Sequence, residues 1–392
     1  MTRLGDPWLV APRTQAVCAL LTEAGHAAYL VGGCVRNALL GAPVADIDLA
    51  TDALPQAVLA LAEAAGVKAV PTGIEHGTVT LVLEGQPFEV TTFRRDVETF
   101  GRHAVVAFSR DIAEDAARRD FTMNALYAKP DGALVDPLGG LPDLRAGRVR
   151  FVGAAEARIA EDYLRILRFF RFHAWYGHPE DGLDPEGLAA CAAARDGLAQ
   201  LSRERVGAEM ARLLAAPDPA PALTAMAATG ILGVVLPGAD PAAIAPLVAA
   251  ERALGAAPRW QRRLAALGGG EDWAERLRLS KADARALAAS LAALDEAGAA
   301  PAQAAYRHGA EAARDAALVC AARARAAPAA GLEREINCGA AAVFPLRAAD
   351  LALGGPALGA ELRRLEALWV DSGFRLDAED LRRMAEAPEG GG

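Results

Sequence analysis

The chain has 392 residues, 53% of them hydrophobic, and a formal net charge of −9. This length is too great for one ordinary core and predicts two or three domains. The negative charge excludes a wholly basic, nonspecific nucleic-acid binder, but it does not exclude local basic patches. Five dispersed cysteines without a Cys-x-x-Cys pair argue against a disulfide framework or a zinc site, and they predict reduced thiols in a cytoplasmic protein.

Hydropathy gives no sign of a membrane partner. The N-terminal segment, residues 1–7, has no apolar signal-peptide core. The longest uncharged run, residues 219–239, contains prolines and glycines. It therefore predicts a helix–turn–helix and not a membrane span.

The first hundred residues predict a small sheet combined with helices. Hydrophobic periodicity indicates helices over 13–25, 34–40 and 55–66, and strands over 27–31, 46–50, 67–70, 77–83 and 87–93.

A Gly-Gly turn and an Asp-x-Asp pair flank the second of these helices. Gly32 and Gly33 allow backbone N–H groups to approach a phosphate closely, and the helix that follows points its positive end there. Asp46 and Asp48 are two residues apart in a strand pattern, so both carboxylates project from one face. Two such oxygen ligands suit Mg²⁺ when substrate phosphates supply the remaining ligands. Alone, a Gly-Gly pair is more often a plain tight turn, and an Asp-x-Asp pair often lies on a solvated strand edge. Both motifs in this order, joined by one short helix, are more specific.

Glu89 alternates with apolar neighbours in the last strand pattern. It is a candidate third carboxylate of the metal site, or a solvated strand position. Residues 94–111 are polar and contain Arg94, Arg95, Arg102 and Arg110. We expect a long loop here, either functional or disordered.

Two arginine-rich stretches follow. Arg118, Arg119 and Asp120 form either an exposed charge cluster or part of a binding site. In residues 156–172, Ile159, Tyr163, Ile166, Leu167 and Phe170 predict the buried stripe of one helix. The polar residues Asp162, Arg165, Arg168 and Arg171 are spaced by three and predict a ridge on another face. Seven arginines between Arg145 and Arg171 form the local basic patch, or a salt-bridged surface.

The rest of the chain is alanine-rich and helical in pattern, with Ser202 as an N-cap candidate. We expect Trp260, Trp273 and Trp369 to be core residues. Arginine clusters could contact an RNA backbone or be solvated: Arg259, Arg262 and Arg263; Arg276 and Arg278; Arg363 and Arg364.

The motifs together resemble those of the class II CCA tRNA nucleotidyltransferase and bacterial poly(A) polymerase family. The resemblance covers roughly residues 27–240 and includes Gly-Gly-x-Val-Arg, Asp-x-Asp, Arg-Arg-Asp-Phe-Thr-x-Asn-Ala-Leu and Glu-Asp-x-x-Arg. One position differs, since the family usually has aspartate directly after the first arginine and this chain has Asn37, an uncharged acceptor.

The resemblance implies an α/β nucleotidyltransferase head, DNA polymerase β-like, followed by an all-α C-terminal region. It implies a catalytic head over 1–150, a helical neck with the base-reading motif over 151–215, and a tRNA-binding body and tail over 216–392.

The implied activity is template-independent addition of CCA to the 3′ end of tRNA from CTP and ATP, with release of pyrophosphate and with Mg²⁺ as cofactor. Asp46 and Asp48 would hold the metal. The implied nucleotide-binding residues are Gly32, Gly33, Arg36, Arg118, Arg119, Asp120, Asp162, Arg165, Arg168 and Arg171. Of these, Asp120 would accept from a ribose hydroxyl, and Asp162 and Arg165 would read the base.

Three alternatives stay open. They are a bacterial poly(A) polymerase, an enzyme that adds only part of CCA, and an inactive RNA-binding relative. The string Thr72–Val79 resembles the tRNA nucleotidyltransferase version of its motif and favours CCA addition, and intact Asp46 and Asp48 count against an inactive protein. The sequence does not predict the oligomeric state.

Overall fold

The computed structural model describes residues 2–100, 103–178, 180–270 and 272–386. It comprises two compact units, Met1–Glu209 with Pro221–Val235, and Met210–Ala220 with Leu236–Gly392. Arg102 lies outside the described residues. The sequence-based division at residues 150 and 215 stays a prediction.

The first unit contains the strands. They are β1 Ala28–Val31, β2 Asp48–Thr51, β3 Lys68–Gly73, β4 Thr78–Leu83, β5 Gln86–Thr92, β6 Arg94–Phe100, β7 His103–Phe108, β8 Tyr127–Ala128 and β9 Leu134–Val135. Within the described residues, seven of them form a sheet of order β3-β4-β5-β2-β1-β8-β9, in which β2 and β5 are parallel and the other pairs antiparallel.

Its helices are α1 Pro7–Val10, α2 Pro12–Thr22, α3 Gly33–Leu39, α4 Pro55–Ala64, α5 Ile112–Ala117, α6 Leu141–Arg145, α7 Ala155–Glu161, α8 Leu164–Tyr176, α9 Pro185–Ala193, α10 Arg203–Leu214, α11 Ala220–Ala228 and α12 Ile231–Val235, with α10 and α11 having residues in both units. The helices and strands predicted for the first hundred residues are confirmed, with shifts of one to three residues at their ends.

One face of the sheet is covered by helices. Leu49, Leu81, Phe88 and Val90 are fully buried, and helices α2 and α4 pack on the sheet. Burying each such side chain stabilises the fold by about 1.5–3 kcal/mol. Because strand residues alternate, their polar neighbours project from the opposite face. The opposite face carries Asp48 and Glu89 of the candidate site, beside a second buried cluster that includes Val31, Ala50 and Tyr127.

The long loop expected over 94–111 is wrong. Strands β6 and β7 form an antiparallel hairpin whose register shifts between Asp96 and Glu98. The β6 half is mostly polar and shows no regular alternation, but the apolar run His103–Phe108 was a strand signal that the sequence analysis missed. The pairing of the two backbones stabilises them instead.

The single helix predicted over 156–172 is also wrong. Helix α7 ends at Glu161, Asp162 has the extended conformation φ −157°, ψ 106°, and α8 starts at Leu164. Asp162 therefore does not belong to the helical ridge of Arg165, Arg168 and Arg171. The predicted stripe is nevertheless buried, except that Tyr163 is half-buried.

The second unit is helical in its described residues. Its further helices are α13 Ile244–Leu254, α14 Trp260–Ala266, α15 Trp273–Arg276, α16 Lys281–Ala292, α17 Leu294–Ala297, α18 Pro301–His308, α19 Ala310–Arg323, α20 Leu332–Ala341, α21 Gly355–Asp371 and α22 Ala378–Glu386. Trp273 and Trp369 are buried as expected, and Trp260 is half-buried. Within the described ranges, no helix is long and apolar enough to cross a membrane.

The expectation that Arg262 and Arg263 contact RNA or are solvated is wrong, because both side chains are buried. They are 4% and 1% exposed. Arg262 pairs with Glu251 and Asp315 at 2.8 Å each, and Arg263 pairs with Glu251 at 2.8 Å. The carboxylates come from α13 and α19, so this network ties α14 into the unit's interior.

Candidate active site

The strand edge formed by β2 and β5 places three carboxylates near one another. Asp48 opens β2 and lies directly opposite Glu89 in β5. Asp46 is exposed two residues before Asp48, and Ile47 between them is buried. Strand β2 begins only at Asp48, so Asp46 precedes the strand in which it was predicted, and the common face of the two carboxylates stays a prediction. Glu89 shares the face of Asp48.

These carboxylates repel one another. Burial raises the pKa of Asp48 to about 6, the charges of Glu89 and Asp46 add to the rise, and Arg119 opposes it. Within the described residues, no donor hydrogen-bonds to any of the three carboxylates, and no cluster of three acidic, His or Cys side chains is tight enough to enclose a metal alone. The donor set fits a hard cation that takes its remaining ligands from a substrate and water.

Gly32 is the turn between β1 and α3. Its φ is +71°, a value that side chains rarely allow, and a Cβ atom there would lie 3.4 Å from Nη1 of Arg119. The buried residues Cys34 and Val35 hold the first turn of α3 against the sheet. The Gly32 turn, the Arg119 guanidinium and the Asp48 carboxylate are therefore neighbours.

Asp115 and Tyr127 orient the arginine pair. Asp115 accepts hydrogen bonds from Arg118 Nε at 2.9 Å, from Arg119 Nη2 at 3.0 Å and from the Tyr127 hydroxyl at 2.7 Å. Although burial opposes it, the two guanidiniums hold the pKa of Asp115 below its usual range. Sequence reasoning assigned no role to Asp115 or Tyr127, although the Asp-x-x-Arg-Arg spacing indicates the first contact.

Arg36 projects from α3 and is buried. Its Nη1 donates to Asn124 Oδ1 at 2.6 Å, and its Nη2 donates to Asn37 Oδ1 at 2.9 Å and to the Tyr176 hydroxyl at 2.8 Å. The side-chain oxygen of Asn37 thus accepts a hydrogen bond, the role that asparagine keeps when it stands in place of aspartate. Asn124 and Tyr176 were not foreseen as partners, and Tyr176 comes from the far end of α8.

Asp120 is held on both oxygens. Oδ1 accepts from Phe121 N at 2.9 Å and from Asn124 Nδ2 at 3.0 Å, and Oδ2 accepts from Arg168 Nε at 2.8 Å. Burial opposes ionisation, but Arg168 and these hydrogen bonds lower the pKa of Asp120 to about 2. The pairing of Asp120 with Arg168 joins the Arg-Arg-Asp motif to α8.

Asp162 and Arg165 lie at the break before α8. Asp162 Oδ1 accepts from Leu164 N at 3.1 Å, and Oδ2 accepts from Arg205 Nη2 at 2.5 Å. Arg165 Nη1 donates to Arg158 O at 2.8 Å and also to Glu161. Sequence reasoning missed Arg205 as a partner.

Further along α8, Arg171 Nε donates to Glu209 Oε2 at 2.6 Å. Arg205 and Glu209 are four residues apart on α10, a spacing that places them on one face. The four-residue spacing of Arg205 and Glu209 could have shown from the sequence that the two side chains lie on the same face of α10.

The structure thus connects most of the predicted site residues. Asp46, Asp48, Gly32 and Arg119 form one group, with Gly33 and Arg118 adjacent in sequence. Arg36, Asp120 and Arg168 form a second group through Asn124, and α8 extends from it to Arg165 and Asp162. The fold and the site together define a nucleotidyltransferase head.

Comparison with known proteins agrees with that class. The family described as "Poly A polymerase head domain" matches residues 28–150, and that described as "Probable RNA and SrmB- binding site of polymerase A" matches residues 182–243. The crystal structure of the Bacillus stearothermophilus CCA-adding enzyme in complex with CTP has a TM-score of 0.74 and 32% identity, covering 94% of both chains. The chain therefore belongs to the class II CCA tRNA nucleotidyltransferase and bacterial poly(A) polymerase family.

Two curated relatives match over shorter regions. The human mitochondrial CCA tRNA nucleotidyltransferase 1 is 42% identical over 201 residues, which are 51% of this chain and 46% of the relative. The CCA-adding enzyme of Geobacillus thermodenitrificans is 44% identical over 220 residues, 56% of this chain and 52% of the relative. The chain thus spans about half the length of the curated relatives it matches.

Proposed function

We propose that this protein adds CCA to the 3′ end of tRNA from CTP and ATP without a template, releasing pyrophosphate. The observation that supports this most directly is the Asp48–Glu89 edge, whose uncompensated negative charge lies beside Arg119 and the Gly32 turn. Acidic ligands next to phosphate-binding groups are what metal-assisted nucleotide transfer requires. The names of its relatives support tRNA as the acceptor.

Asp46 and Asp48 would hold Mg²⁺, with Glu89 as a further candidate. The bound metal would lower the pKa of the primer 3′-hydroxyl and stabilise the charge of the leaving pyrophosphate. Asp48 contributes by staying ionised above about pH 6.

Arg36, Arg119 and the backbone of Gly32 and Gly33 would hold the triphosphate. Planar guanidiniums give paired donors to phosphate oxygens, and a glycine turn presents backbone N–H groups without steric hindrance. Arg118 would support Arg119 through their shared partner Asp115. Asp120 would orient the ribose of the incoming nucleotide, and Arg168 and Arg171 would support the phosphates or the geometry of the neck.

Asp162 and Arg165 would select the base. Cytosine and adenine both present an exocyclic amino donor beside a ring-nitrogen acceptor, which match a carboxylate and a guanidinium. Uracil and guanine have the opposite polarity and would leave buried polar groups unpaired, which is costly. Arg205 and Glu161 fix the two side chains so that the same pair serves both nucleotides.

The remaining parts of the proposal concern organisation and location. Residues 1–150 would be the catalytic head, 151–215 the neck and 216–392 the tRNA-binding body and tail. We propose a cytoplasmic location, in keeping with five unpaired cysteines. Poly(A) synthesis is the second candidate, because the family matched by residues 28–150 is named for poly(A) polymerases.

The test is incorporation of each nucleotide alone into a tRNA transcript that ends at its discriminator base. We expect Mg²⁺-dependent incorporation of CTP, incorporation of ATP only onto a transcript that already ends in CC, and none of UTP or GTP. EDTA serves as the control for metal dependence. Long ATP ladders on any RNA would identify a poly(A) polymerase, and equal use of all four nucleotides would contradict base selection by Asp162 and Arg165.

A further inference from the structure

Helix α7 ends at the break before α8, and an arginine from α8 covers its last turn. Carbonyl groups in the last turn of a helix generally lack helical donors. The carbonyl oxygen of Arg158 lies in that turn, and Nη1 of Arg165 donates to it at 2.8 Å. A cation there also meets the negative end of the helix dipole. The end of α7 therefore holds one nitrogen of the arginine that would read the base.

Glu161, the last residue of α7, is shared by two guanidiniums. Its Oε1 pairs with Nη2 of Arg158, and its Oε2 accepts from Nη1 of Arg165. The side chains of Arg158, Glu161 and Arg165 are 20%, 16% and 13% exposed. Because little solvent reaches them, these charge-assisted contacts are screened less than surface ion pairs are. Arg158 and Arg165 are thus held by one carboxylate.

Arg158 also contacts the end of a second helix. Its Nη1 donates to the carbonyl oxygen of Ala117 at 3.2 Å. Ala117 is the last residue of α5, so its carbonyl is again one that generally lacks a helical donor. Arg118 and Arg119 follow directly in the chain. Arg158 therefore joins the end of α7 to the helix that leads into the arginine pair.

Arg165 uses a single nitrogen for its contacts with α7. Its Nη1 makes both hydrogen bonds, and among the residues that the structure describes no acceptor is bonded to Nε or Nη2. The donors of a guanidinium lie in one rigid plane. Two acceptors on Nη1 therefore fix the plane in which Nε and Nη2 can donate to a base.

We propose that Arg158 is a positioning residue for base selection, which holds Arg165 through Glu161 and through its own carbonyl oxygen. The inference rests on the proposed function, in which Arg165 reads the base. Arg158 acts through Arg165 and not by contacting the nucleotide. Its contact with Ala117 ties this support to α5, so the base-reading plane keeps a constant position relative to the end of that helix.

Arg119, on the triphosphate side, has supports of its own. Its Nε donates to the Tyr127 hydroxyl at 3.0 Å, and its Nη2 donates to Asp115 Oδ2 at 3.0 Å. Neither contact involves Arg158. A change at Arg158 should therefore alter the choice of base and leave the affinity for phosphate unchanged.

The test compares variants of the full-length chain in two measurements. The first is kcat/KM for CTP relative to UTP on a tRNA transcript that ends at its discriminator base, and the second is the calorimetric affinity for inorganic tripolyphosphate with Mg²⁺. Arg158→Gln removes the charge, whereas Arg158→Lys keeps the charge but has one nitrogen for two acceptors. Arg3→Gln is the matched control, because Arg3 pairs with Asp131 at 2.7 Å at an exposed position. Thermal unfolding is measured for every variant.

We expect Arg158→Gln to lower the CTP-to-UTP ratio about tenfold, the effect of one misplaced hydrogen bond from a charged group. Arg158→Lys should lower it about threefold, and Arg3→Gln should not change it. Tripolyphosphate affinity should stay at the wild-type value in all three. The losses in Arg158→Gln and Glu161→Gln should not add in the double variant, because both act through Arg165. A loss of folded protein alone would reduce the use of both nucleotides equally and leave the ratio unchanged.

A wild-type ratio in Arg158→Gln, or in Arg158→Lys if the glutamine variant does not fold, would overturn the positioning role and leave the proposed function intact. Additive losses in the double variant, or a fall in tripolyphosphate affinity as large as the fall in the ratio, would overturn it too. A wild-type chain that uses CTP and UTP equally would instead overturn the proposed base selection. The wild-type measurement therefore distinguishes the two failures.

Discussion

Asp48 and Asp120 show how the same residue type serves two different purposes at this site. The pKa of Asp48 is raised to about 6, and that of Asp120 is lowered to about 2. Burial and, after it, the charges of neighbouring carboxylates raise the pKa of the first carboxylate, whereas the second is buried but paired with Arg168. Consequently Asp48 lowers the stability of the metal-free fold at neutral pH, whereas Asp120 raises it.

We expect Asp48→Asn to stabilise the metal-free protein and to abolish nucleotide incorporation. A carboxyl whose folded pKa lies above its unfolded value of about 4 lowers the free energy of unfolding once the pH exceeds both values, here by about 3 kcal/mol. Urea unfolding in EDTA should show the variant more stable than wild type at pH 8 and equal to it at pH 4. A variant less stable than wild type at pH 8 would show that burial and the neighbouring carboxylates do not raise the pKa of Asp48.

Asp120→Asn should have the opposite pH profile. The stabilisation by a carboxylate of lowered pKa is present above its unfolded pKa of about 4 and is lost as the pH falls towards about 2. The variant should therefore lose about 2 kcal/mol of unfolding free energy at pH 7, and the difference from wild type should shrink across that acid range. Denaturant titrations at several pH values measure this, and a pH-independent difference would exclude the Asp120–Arg168 ion pair as its source.

At the scale of elements, the break between α7 and α8 determines where the base-reading residues lie. Tyr163 follows Asp162 at the break, and a Cβ atom on Gly197 would lie only 2.2 Å from the Tyr163 ring. Because glycine has no side chain, the Tyr163 ring can pack directly against residue 197. Because Asp162 is its neighbour, the same packing sets the position of the Asp162 carboxylate.

Gly197→Ala should displace Tyr163, lower stability by about 1–3 kcal/mol and blur the preference for cytosine and adenine. Gly233→Ala is the matched control. Gly233 lies in helix α12, and a Cβ atom added there would have no neighbour within 4 Å. The measurements are thermal unfolding and incorporation of the four nucleotides. Equal behaviour of the two variants would show that the Gly197 contact does not position Asp162.

At the scale of the whole molecule, the sequence predicted those features that depend on residues only a few positions apart. The strand edge with Asp46 and Asp48, the Gly32 turn and the α/β head followed by helices depend on periodicity and on backbone conformations that act within a few residues. The fold class and family are confirmed by the structure and the comparisons, while the roles of the site residues stay predictions.

Interactions between distant segments were not predictable in this way. The sequence left Arg262 and Arg263 as candidates for RNA contact. Their partners Glu251 and Asp315 lie 11 to 53 residues away in sequence, so no local pattern indicated these ion pairs. Tyr176 reaches Arg36 across 140 residues, and Arg205 reaches Asp162 across 43. Such pairs form only when the packing of helices brings them together, so the local pattern shows a charge but not its partner.

The most direct test of the proposed function is the length of the product made from a tRNA that lacks CCA. Purified full-length protein, Mg²⁺, CTP and ATP are incubated with the transcript, and the products are resolved at single-nucleotide length. We predict growth by three nucleotides with termination there, and growth that ends after the cytidines when ATP is omitted. A long adenosine ladder, growth that ends after the cytidines with both nucleotides present, or no extension at all would contradict CCA addition.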